Sequence, residues 1–120
     1  MPRTSLTVQE PTRTAQINAP TANAADFANG NRFINDGKTI LIVANGSGGA
    51  LTVTIPYGTT VDGLTVSPQT YSIPDGSTGA ILGPWKSTYN QTLDTIPNSV
   101  AIDWSTGTSV TVKVIRVTTV

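Results

Sequence analysis

The chain has 120 residues, carries seven basic and seven acidic side chains, and contains neither cysteine nor histidine. This composition excludes disulfide bonds, thiol nucleophiles, the common zinc ligand sets and acid–base catalysis by histidine. Because the net charge is zero and only 12% of the residues are charged, the chain has no basic field to hold a nucleic-acid backbone or an anionic membrane. We therefore expect neither nucleic acid nor a membrane as a partner. A Thr-rich, nearly neutral surface is poorly protected from association, which suits a protein that works in an assembly.

Residues 1–25 differ in composition from the rest of the chain. Thr, Ala and Pro are frequent there, and the only large aliphatic side chains belong to Leu6, Val8 and Ile17. Short strands over 4–9 and 14–18 fit the pattern, but so few aliphatic side chains cannot form a core that offsets the entropy of ordering. The segment therefore predicts an extended N-terminal arm that packs on another surface. Edge strands within the chain's own domain are an equally good interpretation.

From residue 26 onward, the sequence follows the pattern of a single all-β domain. Short stretches rich in β-branched residues recur about every 8–12 residues, separated by Gly, Pro, Asn and Asp, which is typical of a β-sandwich. No segment has the apolar period of a helix. The domain over 26–120 is therefore predicted to contain strands near 38–45, 50–56, 63–66, 70–73, 78–83, 98–104 and 109–118.

The clearest strand patterns lie between residues 33 and 55. Residues 38–44 are mostly β-branched or aliphatic without alternation, which predicts a strand buried on both faces. The turn residues 45–49 follow, and residues 51–55 then alternate between aliphatic and Thr side chains, which predicts one buried and one wet face. We expect a buried set of Ile40, Ile42, Val53, Ile55, Val110 and Val112, and a comparatively exposed set of Thr52, Thr54 and Thr111.

The last predicted strand, 109–118, has aliphatic residues in two phases. Its first three valines point to one face, whereas Ile115 and Val117 would point to the other. Either both faces of this strand are covered, or a β-bulge near Val114 shifts the phase.

No group of side chains in the sequence predicts catalysis or metal binding. The aspartates beside turns stand alone, whereas a calcium loop needs several oxygen ligands at short and regular spacing. The Gly-rich segment 46–49 lacks the following lysine and helix of a phosphate-binding loop, and no general base is apparent for the many Ser and Thr hydroxyls. We therefore expect a protein that is not an enzyme, with no catalytic residue, no cofactor and no metal.

Two aromatic residues lie in the polar segment 82–90, after a Gly-Pro pair that ends a strand. Trp85 and Tyr89 either anchor a partner, as Trp and Tyr often do at interfaces, or close the end of the chain's own sandwich. For Trp104, which lies within a strand pattern, we expect packing in the core. The candidate partner-binding residues are therefore Leu6, Val8, Ile17, Trp85 and Tyr89.

The order and spacing of these motifs resemble a family of small proteins encoded beside the major capsid gene in tailed bacteriophages. The resemblance begins with Gly30-x-x-Phe33-x-Asn35-Asp36-Gly37-x-Thr39-x-Leu41-x-Val43-x-Asn45-Gly46 and Leu51-Thr52-Val53-Thr54-Ile55. It continues with Val61-Asp62-Gly63-Leu64, with Gly83-Pro84-aromatic-x-x-x-Tyr89-Asn90, and with a closing Ser109-Val110-Thr111-Val112 strand that ends in Ile115-Arg116. It covers almost the whole chain, but Trp85 stands where a smaller aromatic such as Phe is expected.

The resemblance implies a β-sandwich of jelly-roll type that decorates the phage head. The protein is then expected to be a virion structural protein, made in the cytoplasm of the bacterial host, that stabilises the outer surface of the capsid by bridging major capsid protein subunits. A homotrimer is the expected oligomer. The alternative is a carbohydrate- or host-surface-binding β-module of a phage head or tail fibre, for which Trp85, Tyr89 and Asn90 form the candidate cluster.

Overall fold

A computed structural model describes residues 3–11, 22–57, 60–93 and 95–116. These residues form strands and one short 3-10 helix, Ser87–Tyr89. The strands, in chain order, are β1 (Thr4–Ser5), β2 (Asn23–Ala24), β3 (Asn31–Ile34), β4 (Thr39–Asn45), β5 (Leu51–Ile55), β6 (Thr60–Val61), β7 (Leu64–Thr65), β8 (Gln69–Ile73), β9 (Ala80–Leu82), β10 (Gln91–Leu93), β11 (Ile96–Trp104) and β12 (Val110–Arg116).

Most strands belong to two sheets that pack face to face as a sandwich. The first sheet has the order β1-β3-β11-β5-β8, with β10 also paired to β11, and the second has the order β2-β12-β4-β9. Neighbouring strands are antiparallel except for β1 and β3. The strands β6 and β7 form a separate two-stranded ribbon. The prediction of an all-β sandwich is therefore confirmed.

All seven predicted strands are present, with small shifts at their ends, and the predicted residues 117–118 lie outside the described residues. The sequence pattern does not predict β3, although this strand pairs with β11 over its whole length. Its first two residues, Asn31 and Arg32, are polar and yet buried. Since β3 lacks the aliphatic pattern of a core strand, only the structure reveals it.

The strands on either side of the two clearest turns belong to different sheets. The strand β3 lies in the first sheet and β4 in the second, and β4 and β5 are divided in the same way. The turns at 35–38 and 46–50 are therefore arches across the sandwich and not hairpin turns. Each arch contains a glycine with positive φ, Gly37 and Gly48, a conformation that costs glycine no steric strain.

The strand β4 alternates between the inside and the outside of the sandwich, so the prediction of burial on both faces is wrong. Leu41 and Val43 are fully buried, whereas Ile40 and Ile42 on the opposite face are only half-buried. Ile40 and Ile42 are therefore less buried than the inward-facing residues of the strand, although neither is exposed. The physical reason is that the second sheet packs on the first through one face, which leaves every second side chain of β4 outside.

Strand β12 pairs with β4 in one continuous register, so the bulge considered near Val114 is absent. Its three valines point inward and are buried, and Ile115 is half-buried on the outer face. Val117 lies outside the described residues. The remaining burial predictions are confirmed on both strands, with Val53, Ile55, Val110 and Val112 buried, Thr52 exposed, and Thr54 and Thr111 half-buried.

The described residues of the N-terminal segment are part of the sandwich. The strand β1 pairs with β3 at the edge of the first sheet, and Gln9 bridges to Ile115 at the edge of the second. Between these contacts, Leu6 is 3% exposed and lies in the core cluster. Residues 3–11 and 22–25 therefore form edges of the chain's own domain, the second of the two interpretations above, and not a separate arm.

Candidate functional site

The loop 83–90 begins with a backbone that leaves no room for a side chain. Gly83 has a φ of +101°, and a Cβ built there would lie 2.7 Å from a ring carbon of Trp85. The peptide bond between Gly83 and Pro84 is cis. On this path the Trp85 side chain turns back toward the core, and the chain then forms the short helix and enters β10.

Trp85 is 3% exposed and belongs to the core cluster. Its ring centroid lies 5.5 Å from that of Phe33 and 6.5 Å from that of Tyr71, and its indole N–H donates to the Tyr71 hydroxyl at 3.2 Å. A buried indole whose N–H finds a partner is typical of a packed Trp. Trp85 therefore closes the chain's own sandwich and presents almost no surface, which corrects the hypothesis that it anchors a partner.

The buried side chain of Asn35 holds the loop in place. Its amide nitrogen donates to the Trp85 carbonyl at 3.1 Å and to Asn90 Oδ1 at 2.8 Å, while its own Oδ1 accepts from the Gly37 N–H at 3.1 Å. One asparagine thus joins the arch at 35–38 to both ends of the aromatic loop. Composition and periodicity gave no indication of this role.

Tyr89 is the aromatic residue of the loop that stays accessible. It is half-buried against the core, and its ring meets that of Tyr57 edge to face with centroids 4.8 Å apart. Asn90 is half-buried beside it. Of the cluster predicted for sugar binding, Tyr89 and Asn90 are thus partly accessible. The aromatic ring that meets Tyr89 is that of Tyr57, and not that of Trp85.

The three aliphatic residues predicted to bind a partner are in different situations. Leu6 is in the core, and its backbone N–H donates to the Arg32 carbonyl at 2.8 Å. Val8 is half-buried and packs against the core cluster. Ile17 lies outside the described residues. Leu6 therefore seals the edge between the two sheets, because it is the large side chain on the segment that crosses from one to the other.

Val8 also lines a shallow cavity of about 160 Å³, together with Ile34, Asp36 and Arg116. Arg116 forms ion pairs with Asp36 and with Glu10. Its Nε lies close to the Asp36 carboxylate without a well-directed hydrogen bond, so the contact is mainly electrostatic. Since both carboxylates face one guanidinium, this group ties the N-terminal segment and the arch at 35–38 to the end of β12.

Two carboxylates have lowered pKa values. For Asp36, desolvation alone would raise the pKa, but the Lys38 backbone N–H, which donates at 2.9 Å, and the charge of Arg116 outweigh it and lower the pKa. The pKa of Asp26 is lowered first by the hydrogen bond from the Thr4 hydroxyl and then by the Asn29 backbone N–H. Both groups are therefore ionised at neutral pH and act as fixed anchors of local structure.

Sequence reasoning missed the outer face of the second sheet. Four isoleucines point away from the core there, and Ile81 is 67% exposed. Ile42 pairs with Ile81 across the strands, and Ile40 pairs with Ile115. Because both phases of β4 are aliphatic, its sequence does not tell which phase is inside.

Within the described parts of the chain, no three His, Cys, Asp or Glu side chains are grouped as a metal site requires. The same residues include no helix that is long and apolar enough to cross a membrane. Comparisons of the chain with models of protein families, with curated proteins and with solved structures gave no match.

Proposed function

We propose that this protein is a structural protein of a bacteriophage virion that decorates the outer surface of the capsid and stabilises it by bridging major capsid protein subunits. The spaced motifs that resemble head-decoration proteins support this proposal. Several of them lie at the two arches, where Asn35 and Asn45 are buried. The residues that carry the resemblance are thus residues that shape the sandwich.

The order of the strands is the structural observation that supports the proposal. Two four-stranded antiparallel layers, β3-β11-β5-β8 and β2-β12-β4-β9, face each other. Followed along the chain, with β1, β10 and the β6–β7 ribbon left aside, this order supports a jelly roll of two Greek keys. Jelly rolls are frequent in viral capsid and lectin domains. The resemblance, and not the fold alone, favours the capsid.

Buried amides that fasten distant segments suit a protein with a mechanical role. Asn45 donates to the carbonyls of Gly49 and Ile73 at 2.9 and 3.0 Å, which ties the second arch to β8. Asn31 accepts from the Trp104 indole N–H at 2.7 Å and donates to the Thr4 carbonyl at 3.2 Å. Satisfied buried polar networks rigidify a fold, and a rigid body resists deformation of the shell to which it is bound.

On the capsid, the sandwich lies across a junction between shell subunits, so that opening the shell breaks contacts with both. A homotrimer presents three such contacts at once, and linked contacts bind far more tightly than each does alone. Because the chain carries no net charge, binding depends on packing and backbone hydrogen bonds more than on electrostatic attraction. The protein is made in the cytoplasm of the bacterial host and ends in the virion.

The composition and the heat stability of phage particles test this proposal. Heads purified on a density gradient should contain the protein, and heads from a phage that lacks its gene should release DNA at a lower temperature. Adding the purified protein should restore the release temperature. The proposal is wrong if wild-type heads do not contain the protein.

The Tyr57–Tyr89 pair supports a second candidate function, a carbohydrate- or host-surface-binding module. The two half-buried rings meet edge to face, and the half-buried Asn90 follows Tyr89 in the chain; sugar sites combine aromatic faces with amide and hydroxyl groups. A glycan array with wild-type protein and with Tyr57→Ala separates the two functions. A specific glycan signal that the variant loses supports the binding module, whereas head binding without any glycan signal supports decoration.

A further inference from the structure

The outer face of the second sheet forms an aliphatic surface with one charge, Lys113, at one end of its middle row. In its middle row, Ile81, Ile42 and Lys113 stand side by side on β9, β4 and β12. The pair Ile40 and Ile115 flanks this row on one side. We call these five side chains the isoleucine face.

We propose that the isoleucine face docks flat against a second protein that is not a copy of this chain, on an apolar surface that places a carboxylate opposite Lys113. The identity of this partner rests on the proposed function, which makes it the major capsid protein. The choice of face, the exclusion of a second copy and the carboxylate rest on the geometry of the sheet.

The size of the face argues against a stable pair of copies. With strands about 4.8 Å apart and a rise of about 3.3 Å per residue, three to four strands and five residues per strand cover about 240–320 Å². Exposed apolar patches of this size on a soluble protein often mark an interaction site. A stable two-protein interface buries about 800 Å² per partner, so this face alone supplies about a third of that area. It therefore suits a contact that is repeated over a large partner surface.

The position of Lys113 argues in the same direction. Within the described residues Lys113 forms no ion pair, and its neighbours across β4 are aliphatic. A symmetric pair of copies brings the same five side chains of each copy together. None of them is a carboxylate, so each Lys113 would lie against isoleucines or against the other Lys113. An ammonium group that loses water without meeting an opposite charge opposes association. A different protein with a carboxylate at that point satisfies the ammonium group instead.

Binding of the full chain to heads purified from a phage that lacks its gene tests the aliphatic part of the proposal. Ile81→Arg should weaken binding about 10-fold or more, because it adds a second cation to an apolar contact. Leu64→Arg is the matched control, since Leu64 is 72% exposed on β7, outside the face. It should change binding less than about 2-fold. Both variants should melt at the wild-type temperature, because both side chains are already exposed.

A second pair of variants tests the charge. Lys113→Glu should weaken binding about 10-fold, whereas Lys113→Arg should keep it within about 3-fold. Lys86→Glu is the matched control, because it makes the same charge change in the exposed part of the loop 83–90. It should leave binding unchanged.

The outcomes separate this inference from the proposed function. If wild-type protein does not bind the heads, the proposed function fails and the partner with it. If wild-type protein binds and Ile81→Arg binds equally well, the function stands and the inference about the face is wrong. A wild-type dimer in light scattering that Ile81→Arg dissociates would make a second copy the occupant, which also overturns the inference.

Discussion

The loop 83–90 and the outer face of the second sheet differ in burial from what their sequences indicate, and in opposite directions. The loop is polar and carries an isolated Trp85, a pattern that favours an exposed anchor, yet this side chain is buried against Phe33 and Tyr71. The strands β4 and β9 are aliphatic, a pattern that favours the core, yet Ile81 is one of the most exposed large hydrophobic residues of the described chain.

These two regions show that topology, more than local composition, decides which side chains are buried in a two-layer protein. A sandwich of two sheets is open along its edges, and side chains from crossing segments must close it. Trp85 does this beside β8, and Leu6 does it where the N-terminal segment passes from one sheet to the other. Within the residues that the structure describes, each sheet also has an outer face on which no other sheet packs, whatever residues occupy it.

Trp85→Ala should have the largest effect on stability, because this side chain is buried in the core. Removing a buried indole leaves a cavity beside Phe33 and Tyr71, which should lower the free energy of unfolding by about 3–5 kcal/mol. Urea denaturation followed by tryptophan fluorescence of the remaining Trp104 measures the change. Tyr71→Phe is the matched control, since it removes only the hydroxyl that accepts from the indole, and should cost about 0.5–1.5 kcal/mol. An unchanged urea denaturation midpoint for Trp85→Ala would show that this side chain lies at the surface.

Leu6→Ala should have the next largest effect, a loss of about 2–4 kcal/mol of unfolding free energy. Leu6 is the side chain that the N-terminal segment places in the core, so its truncation opens the edge between the sheets. Thr7→Ala is the matched control because Thr7 is exposed on the same segment; it should stay within about 0.5 kcal/mol of wild type. Equal stability of the two variants would support an arm that belongs to a partner.

The parts of the fold that could be predicted are those in which one strand face is marked by polar residues. On β5, Thr52 and Thr54 identify the outer phase, and the prediction is confirmed. On β4 both phases are aliphatic, so the sequence determines the strand but not its orientation. The strand β3 was missed because Asn31 and Arg32 are polar although they are buried; such burial depends on hydrogen bonds to residues far away in the chain.

The candidate site was harder to predict for the same reason. A large aromatic or aliphatic residue in a polar segment can pack against a partner or against an open edge of its own sandwich. Local sequence does not distinguish these two environments. The assignment depends on where the segments at 3–11 and 83–90 cross the sheets, which is a property of contacts between distant residues. The motifs that carry the resemblance lie at the arches. There, the Asn35 side chain stabilises the fold through its hydrogen bonds to Trp85, Asn90 and Gly37.

A smaller effect should come from Asp36, which ties the first arch to Arg116. Because the pKa of Asp36 is lowered in the folded chain, its ionisation stabilises the fold above the unfolded pKa, and this contribution is lost as the pH falls through the folded pKa. Asp36→Asn should therefore cost about 0.5–1 kcal/mol at pH 7, and the difference from wild type should shrink below pH 3.8. Denaturation at several pH values, with Arg116→Gln to complete a double-mutant cycle, measures this. A difference that stays constant with pH would show that another interaction of the side chain is responsible.

The smallest effect should come from Ile81, whose neighbour in the chain, Leu82, has the opposite environment. Ile81 points out from β9 and is 67% exposed, whereas Leu82 points inward and is buried. Ile81→Thr keeps a β-branched side chain and should change the free energy of unfolding by less than about 0.5 kcal/mol, whereas Leu82→Ala should cost about 2–4 kcal/mol. Thermal denaturation of the two variants tests the phase of β9 directly. If Ile81→Thr were as destabilising as Leu82→Ala, the outer face would be covered by the protein itself, and it would have no surface left to offer a partner.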